Sequence, residues 1–321
     1  MDFDISAPHF HDETKAREYL EARRWPNGPF CPHCGVLADR ITKLEGEKHR
    51  PGLYQCNECH GQFSVTVGTL YERSHIPLYK WLLATHLMSA SKKGTSAHQL
   101  HRMLGITYKS AWFMAHRIRE GMRDTNPAPM GGKGKTAEAD ATYIGGKEKN
   151  KHRSKRNAHN IGGTGKEIAF ALVERGGKVR SHHVPEVTAK TLRPILQAQL
   201  DRASSLMTDG EGQFRILGAD YARHEVVDHG IGEYVRGEAH TNTVEGYFSI
   251  LKRGINGVYH HVSQQHLKRY LVEFDFRYNE RSALGVEDKE RADKALKGIE
   301  GKRLTYRRTN ERKGQGSAVP A

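Results

Sequence analysis

Four cysteines offer the plainest chemistry in this chain. Cys31 and Cys34 are two residues apart, as are Cys56 and Cys59, with twenty-one residues between the pairs. Each pair can form a knuckle that gives two thiolates to one metal, and two knuckles at this separation suit a tetrahedral Zn²⁺ site. Four thiolates close the coordination shell, so such a zinc is structural. Disulfides are the competing reading; the lack of cysteine elsewhere and an expected reducing compartment weigh against them. Carboxylates form a second group. Asp140 falls in the strand-like AEADATYIGG and Asp209 ends the strand-like SSLMTDG, while Glu245 follows thirty-six positions later in the helix-like TNTVEGYFSILKRGI. Carboxylates at strand ends can converge, and hard oxygen ligands suit Mg²⁺ or Mn²⁺. On that helix Asn242, Glu245, Ser249 and Lys252 share one face, leaving Val244, Tyr247, Phe248 and Leu251 to pack inward. Spacing alone does not single out these three acids from the 37 Asp and Glu of the chain.

The elements that must position these groups follow from periodicity. Residues 13–24 read as a helix that stops before Trp25-Pro26, and a β-rich ribbon follows from about Phe30 to Val67. Leu78–Met88 has the apolar density of a buried helix. In the next stretch Ser96 can cap a helix carrying Leu100, Met103 and Leu104 on one face, Gly105 supplies a turn, and a second helix starts near Thr107. Helix, short glycine turn and helix form the helix-turn-helix pattern, with an ordinary helical hairpin as the alternative. Tyr108, Lys109, Ser110 and His116 would then be available to DNA. The Pro- and Gly-rich segment 124–136 reads as a linker. Its GKGKT run lacks the first glycine of a phosphate loop, since Pro129 stands there, so a nucleotide site is rejected. Beyond it come three strands, a helix, a strand and two long helices, a pattern consistent with an RNase H-like α/β core without singling it out.

Composition narrows the partner. The 321 residues carry 51 Lys+Arg against 37 Asp+Glu, a net charge of +14, and that excess favours a polyanion such as DNA. No long apolar run, amphipathic anchor or lipidation signal speaks for a membrane, and the acidic N-terminus is unlike a secretory signal, so a cytoplasmic protein is expected. The basic run at 147–160 is either a DNA-binding loop or a solvated one, and the segment from Lys302 is expected to be disordered.

The segments CPHCG, YQCNECHGQFSVTVGTLYERSHIPLYKWLLA, EADATYIGG, LMTDG and HTNTVEGYFSILKRGINGVYHHVSQQHLKRYLVEFDFRYNER occur in that order between residues 30 and 281. With Asp140, Asp209 and Glu245 in place, the chain resembles the DDE transposases of bacterial insertion sequences, most closely the ISXO-like type. The resemblance implies a multidomain protein: a small zinc ribbon, a helical helix-turn-helix domain and an α/β RNase H-like catalytic core. The expected boundaries are an N-terminal helical segment at 1–29, the ribbon at 30–68, the helix-turn-helix region at 69–123, the linker at 124–136, the core at 137–285 and a basic tail at 286–321.

It also implies metal-dependent strand cleavage and strand transfer. Asp140, Asp209 and Glu245 would hold two Mg²⁺ or Mn²⁺ ions, with Asn242 as an alternative to Glu245. Lys252 would act beside the carboxylates, and Arg253 would face DNA. His240, just before the helix, would orient DNA or water, or simply serve the helix entry. Transposon ends and target DNA are the implied partners, a homodimer or larger synapse the implied assembly, and the bacterial nucleoid the setting. Two other readings compete: a non-enzymatic DNA-binding regulator with an inert core, and an RNase H-like nuclease that cuts without joining.

Overall fold

The computed structural model describes residues 4–146, 150–156 and 163–305. The first helix, α1 (Glu13–Arg24), starts where the Asp12 carboxylate accepts the Lys15 N–H at 2.7 Å. It ends at Trp25, whose indole lies edge-on to Tyr54 at 5.2 Å and near Phe63. These aromatic rings centre a three-stranded antiparallel ribbon of β1 (Ile41–Leu44), β2 (Leu53–Cys56) and β3 (Gln62–Phe63). The next helix, α2 (Leu78–Ala90), is buried on several sides, as its apolar density predicts. Two more helices follow. In α3 (Ala97–Leu104), capped by Ser96, Leu100 and Leu104 are buried but Met103 is exposed, which corrects the expected apolar face. Gly105, in the left-handed region at φ 59°, reverses the chain into α4 (Tyr108–Gly121), capped by Thr107.

The core begins at β4 (Met130–Gly131) and β5 (Thr136–Ile144), followed by β6 (Glu167–Glu174), β7 (Val179–Val184), α5 (Ala189–Gln199), β8 (Leu200–Asp201) and β9 (Ser205–Asp209). After α6 (Gly212–Gly218) and β10 (Arg223–Val227) come a small hairpin of β11 (Val235–Arg236) and β12 (Ala239–His240), then α7 (Asn242–Gly254) and α8 (Gln264–Asn279). The main sheet runs β10-β9-β5-β6-β7; β5, β6 and β7 are antiparallel neighbours, while β9 and β10 lie parallel to β5. Strand alternation fills both faces. Phe170 and Leu172 of β6 meet Leu192, Leu196 and Phe214 of α5 and α6. Ala169, Ala171 and Val173 of the same strand meet Val244, Phe248 and Leu271 of α7 and α8. The result is a mixed α/β core of three layers. The α6–β10 unit and the hairpin were not read from sequence, because both are short and β10 is an edge strand.

Two features join the front of the chain to its core. Arg119 of α4 donates to Glu273 of α8 at 2.6 Å, both fully buried, and Glu273 also accepts from Arg277 and, at 2.6 Å, from Tyr259. The segment expected as a basic tail is helical at α9 (Asp288–Lys297), whose Ala295 and Leu296 pack in the N-terminal hydrophobic cluster together with Ile299. Leu70 N–H donates to Ile299 O at 3.1 Å, Gly301 N–H to Gly68 O at 3.0 Å, and Lys302 caps carbonyls near the end of α4. This strap corrects the expectation of disorder as far as Thr305. Half of the basic run at 147–160, namely 147–149 and 157–160, falls outside the described residues. No helix among the described residues is long and apolar enough to cross a membrane.

Candidate active site and zinc ribbon

The cysteine quartet assembles as the spacing predicts. Cys31 Sγ stands 3.6 Å from Cys59 Sγ, and Cys34 Sγ 3.6 Å from Cys56 Sγ. Bonds of about 2.3 Å to a central zinc would set tetrahedral edges near this length, so the donor set fits the ion. Backbone N–H groups of Cys59 and Glu58 aim at the Cys56 sulfur and bring its thiol down to about 7. Among the described residues this is the group of three or more metal-ligating side chains whose donor atoms all fall within 4.8 Å of one another.

The second constellation is built by strand register. The parallel pairing of β5 with β9 matches Ala139 with Thr208, so Asp140 and Asp209 stand one step further along neighbouring strands. Asp228 follows β10, whose Val227 is paired with Asp209, and adds a third acid to the same sheet end. Burial pushes the Asp140 carboxyl up to about 7, helped by the charge of Asp209 and then of Glu211 and Glu245, against the Ala141 N–H that donates to it at 2.6 Å. Burial likewise pushes Asp209 up to about 6, with Glu211 adding to it and His229 opposing. The charged neighbours acting most on Asp140 are thus all acids.

Glu245 arrives from α7. Val244, Tyr247, Phe248 and Leu251 are buried, whereas Asn242, Glu245, Ser249, Lys252 and Arg253 are exposed, as the helical period requires. Tyr247 anchors the buried side by donating to Asp275 at 2.6 Å, an acid that also accepts from Ser181 of β7. The Glu245 carboxylate accepts from the Thr241 hydroxyl at 3.1 Å and lies 3.6 Å from His229 Nε2. The sheet therefore brings Asp140 and Asp209 together, and α7 turns Glu245 towards them; the three do not reach the tight spacing of the cysteines.

Two residues of this site escaped the sequence reading. His229 lies between Asp209 and Glu245, in a short helical turn that only the fold brings there. Glu138, two residues before Asp140, is fully buried and accepts from the Thr243 and Val244 N–H groups at 2.7 and 2.9 Å, the Thr243 hydroxyl at 2.8 Å and Arg175 at 2.7 Å. A strand carboxylate thus caps the start of the helix that carries Glu245. The signal in the sequence was an acid at an inward strand position. His240 lies 3.2 Å from the same carboxylate, beside the entry to α7. Glu138→Ala would leave Arg175 without its carboxylate and two helix N–H groups unpaired, and is expected to lower the unfolding free energy by about 3–5 kcal/mol. An unchanged urea midpoint would contradict this role.

At the front of the chain, Tyr108 is exposed and stacks on His98 at 4.2 Å, Lys109 is exposed, and Ser110 pairs with its cap Thr107 at 2.9 Å. His116, expected to face DNA, is instead fully buried, packed between Trp112, His266 and Tyr270. Burial drops it to about 2, so it is neutral and belongs to the contact of α4 with α8. The half of α4 that docks on the core leaves only its first turn open.

Known proteins share these parts. The family described as the ISXO2-like transposase domain matches residues 132–279, and the transposase zinc-ribbon domain matches residues 11–62, a span that takes in α1. An uncharacterized protein in transposable element ISH50 of Halobacterium salinarum is 30% identical over 279 residues, which cover 84% of this chain and 91% of that protein. The family matches cover ribbon and core, the ISH50 similarity takes in most of both chains, and the chain belongs to the ISXO2-like transposase family.

Proposed function

We propose that this transposase cuts and rejoins DNA strands at a site formed by Asp140, Asp209 and Glu245. The observation that carries the reading is the register that sets Asp140 beside Asp209, with Glu245 facing them from α7. The order β10-β9-β5-β6-β7, an antiparallel meander flanked by two parallel strands, supports an RNase H-like core. Hard carboxylate oxygens with no Arg or Lys ion pair among the described residues fit Mg²⁺ or Mn²⁺, whereas Glu138 is already matched by Arg175 and falls outside the set. When bound, such ions activate the attacking oxygen and stabilise the leaving one.

The protein's own groups do the rest. Asp140, Asp209 and Glu245 hold the ions, with Asn242 one turn ahead of Glu245 on the same exposed face. Thr241 and His229 orient the Glu245 carboxylate, and Lys252 offers a cation to the phosphate charge that grows during displacement. The first turn of α4, with Tyr108, Lys109 and Ser110, reads DNA as the second helix of a helix-turn-helix. Arg253 takes backbone phosphate. A pair of element ends requires at least two copies of the chain.

Cutting of a duplex carrying the element's ends, with Mg²⁺ and without it, tests this reading against a regulator with an inert core. Joining of the freed 3′ end to a second duplex tests it against a nuclease. Proton competition gives a further check. With Asp140 near 7 and Asp209 near 6, bound protons must leave before an ion can enter, so Mn²⁺ affinity is expected to be weak at pH 5.5 and to climb through pH 6–7. Both carboxyls are raised above their unfolded values, so their contribution to the metal-free fold is present at low pH and lost as pH rises through 6–7. Metal-free protein should therefore melt lower at pH 8 relative to Asp140→Asn, and Mn²⁺ should close the gap. Mn²⁺ titration by calorimetry reads the first effect, and an affinity independent of pH would oppose the assignment.

A further inference from the structure

Beside Glu245 lies a groove of whose lining the functional roles above use only Asn242 and Arg253. It has a volume of about 630 Å³ and runs between the turn at Lys92 and Lys93 and the exposed stripe Asn242, Gly246, Ser249 and Arg253 of α7. Three observations mark it as built to receive something. The turn is rigid: the Ser91 hydroxyl donates to Gly94 O at 2.8 Å and accepts the Gly94 N–H at 3.1 Å. It is also pressed onto the core, since a Cβ at Gly254 would stand 2.6 Å from Lys93 O, and one at Gly94 would strike the Tyr259 ring. Two exposed lysines from the N-terminal helices are thereby fixed opposite an exposed arginine of the core.

Gly246 is the third observation. It sits inside α7, where glycine costs the helix up to about 1 kcal/mol relative to alanine. A Cβ there would meet nothing within 4 Å among the described residues, so no described neighbour calls for its absence. Glycine at an exposed helical position suits the close approach of another molecule's backbone. A floor without a side chain, walls carrying three cations and polar Asn242 and Ser249 match a sugar–phosphate chain.

We propose that this groove carries the phosphodiester backbone of one DNA strand past Glu245, with Lys92, Lys93 and Arg253 against its phosphates and Gly246 beneath it. The proposal rests on the strand-transfer reading above, and it makes the N-terminal helices part of the path to the carboxylates. The strand belongs either to the element's end or to the target; both present the same chemistry.

The test uses the full chain as Lys92→Ala/Lys93→Ala, as Lys92→Arg/Lys93→Arg, and as Gly246→Leu. Binding to a duplex with the element's end is measured against salt, and the alanine pair should flatten the slope of log K by about 1 per lysine removed. The arginine pair should restore it. Gly246→Leu should melt no lower than wild type yet raise KM for DNA, a combination that a purely structural role does not produce. Raised KM in cutting assigns the strand to the element's end. Raised KM only when pre-cut ends are joined to a plasmid assigns it to the target. An unaltered salt slope together with unaltered KM in both assays overturns the proposal. If wild-type protein binds the end but neither cuts nor joins with Mg²⁺ or Mn²⁺, the strand-transfer reading falls, and the salt slope still judges the groove.

Discussion

Asp140→Asn is expected to reduce strand cutting and strand joining together by at least about a thousandfold, on the order of 4 kcal/mol of barrier. Asparagine keeps the size of the side chain and an oxygen for the Ala141 N–H, so geometry at the middle of β5 is retained. What it removes is the charge that a divalent ion needs. The fold should not suffer. Asp140 is held up near 7 by burial and by surrounding acids, so a neutral amide relieves repulsion at pH 8 and should raise the melting temperature. DNA affinity should hold or improve, because one negative charge leaves a surface that approaches phosphates. Loss of both reactions with intact binding and a higher melting point is a pattern that misfolding does not mimic. Retained cutting by this variant, assayed with Mg²⁺ on end-bearing duplex, would remove Asp140 from the chemistry.

The second large effect concerns zinc. Structural zinc can contribute on the order of 10 kcal/mol to a small domain of this kind. The ribbon is three short strands around Trp25, Tyr54 and Phe63, and its Phe63 and Val65 lean on the hydrophobic cluster of the N-terminal helices. Stripping the metal with a strong chelator, or replacing Cys34 by serine, is expected to unfold residues 30–67 and abolish selective binding of the element's end. The core sheet, with its separate hydrophobic clusters, should remain folded and keep its Mn²⁺ affinity. Circular dichroism together with competition between specific and random duplexes reads both halves of this outcome. Selective binding that survives complete zinc removal would show that recognition lies elsewhere.

What could be read from the sequence was what local pattern encodes. Two CxxC pairs announce their metal because the knuckle lies within a few residues. The exposed stripe on α7 could be drawn from helical period, since Val244 and Leu251 had to go inside. The convergence of Asp140 and Asp209 was an expectation about strand ends, and the β5–β9 register gives it a geometric basis. Errors arose where a distant partner decides. His116 looks like a polar group on an amphipathic helix until α8 brings His266 and Tyr270 over it. Glu138 looked like one more acid, and its partners Thr243 and Val244 lie more than a hundred residues away. His229 reaches Glu245 only after the β11–β12 hairpin folds back, and nothing in a two-residue strand advertises that.

The return of α9 to the front of the molecule has a consequence for synthesis. Ala295, Leu296 and Ile299 complete the hydrophobic cluster to which α1 and α2 contribute, and they leave the ribosome long after those helices. The first unit must wait, with an apolar face uncovered, until the chain has been translated beyond Ile299. A nascent chain interrupted after α8 would carry every DNA-facing residue named above and still lack the piece that closes its own beginning.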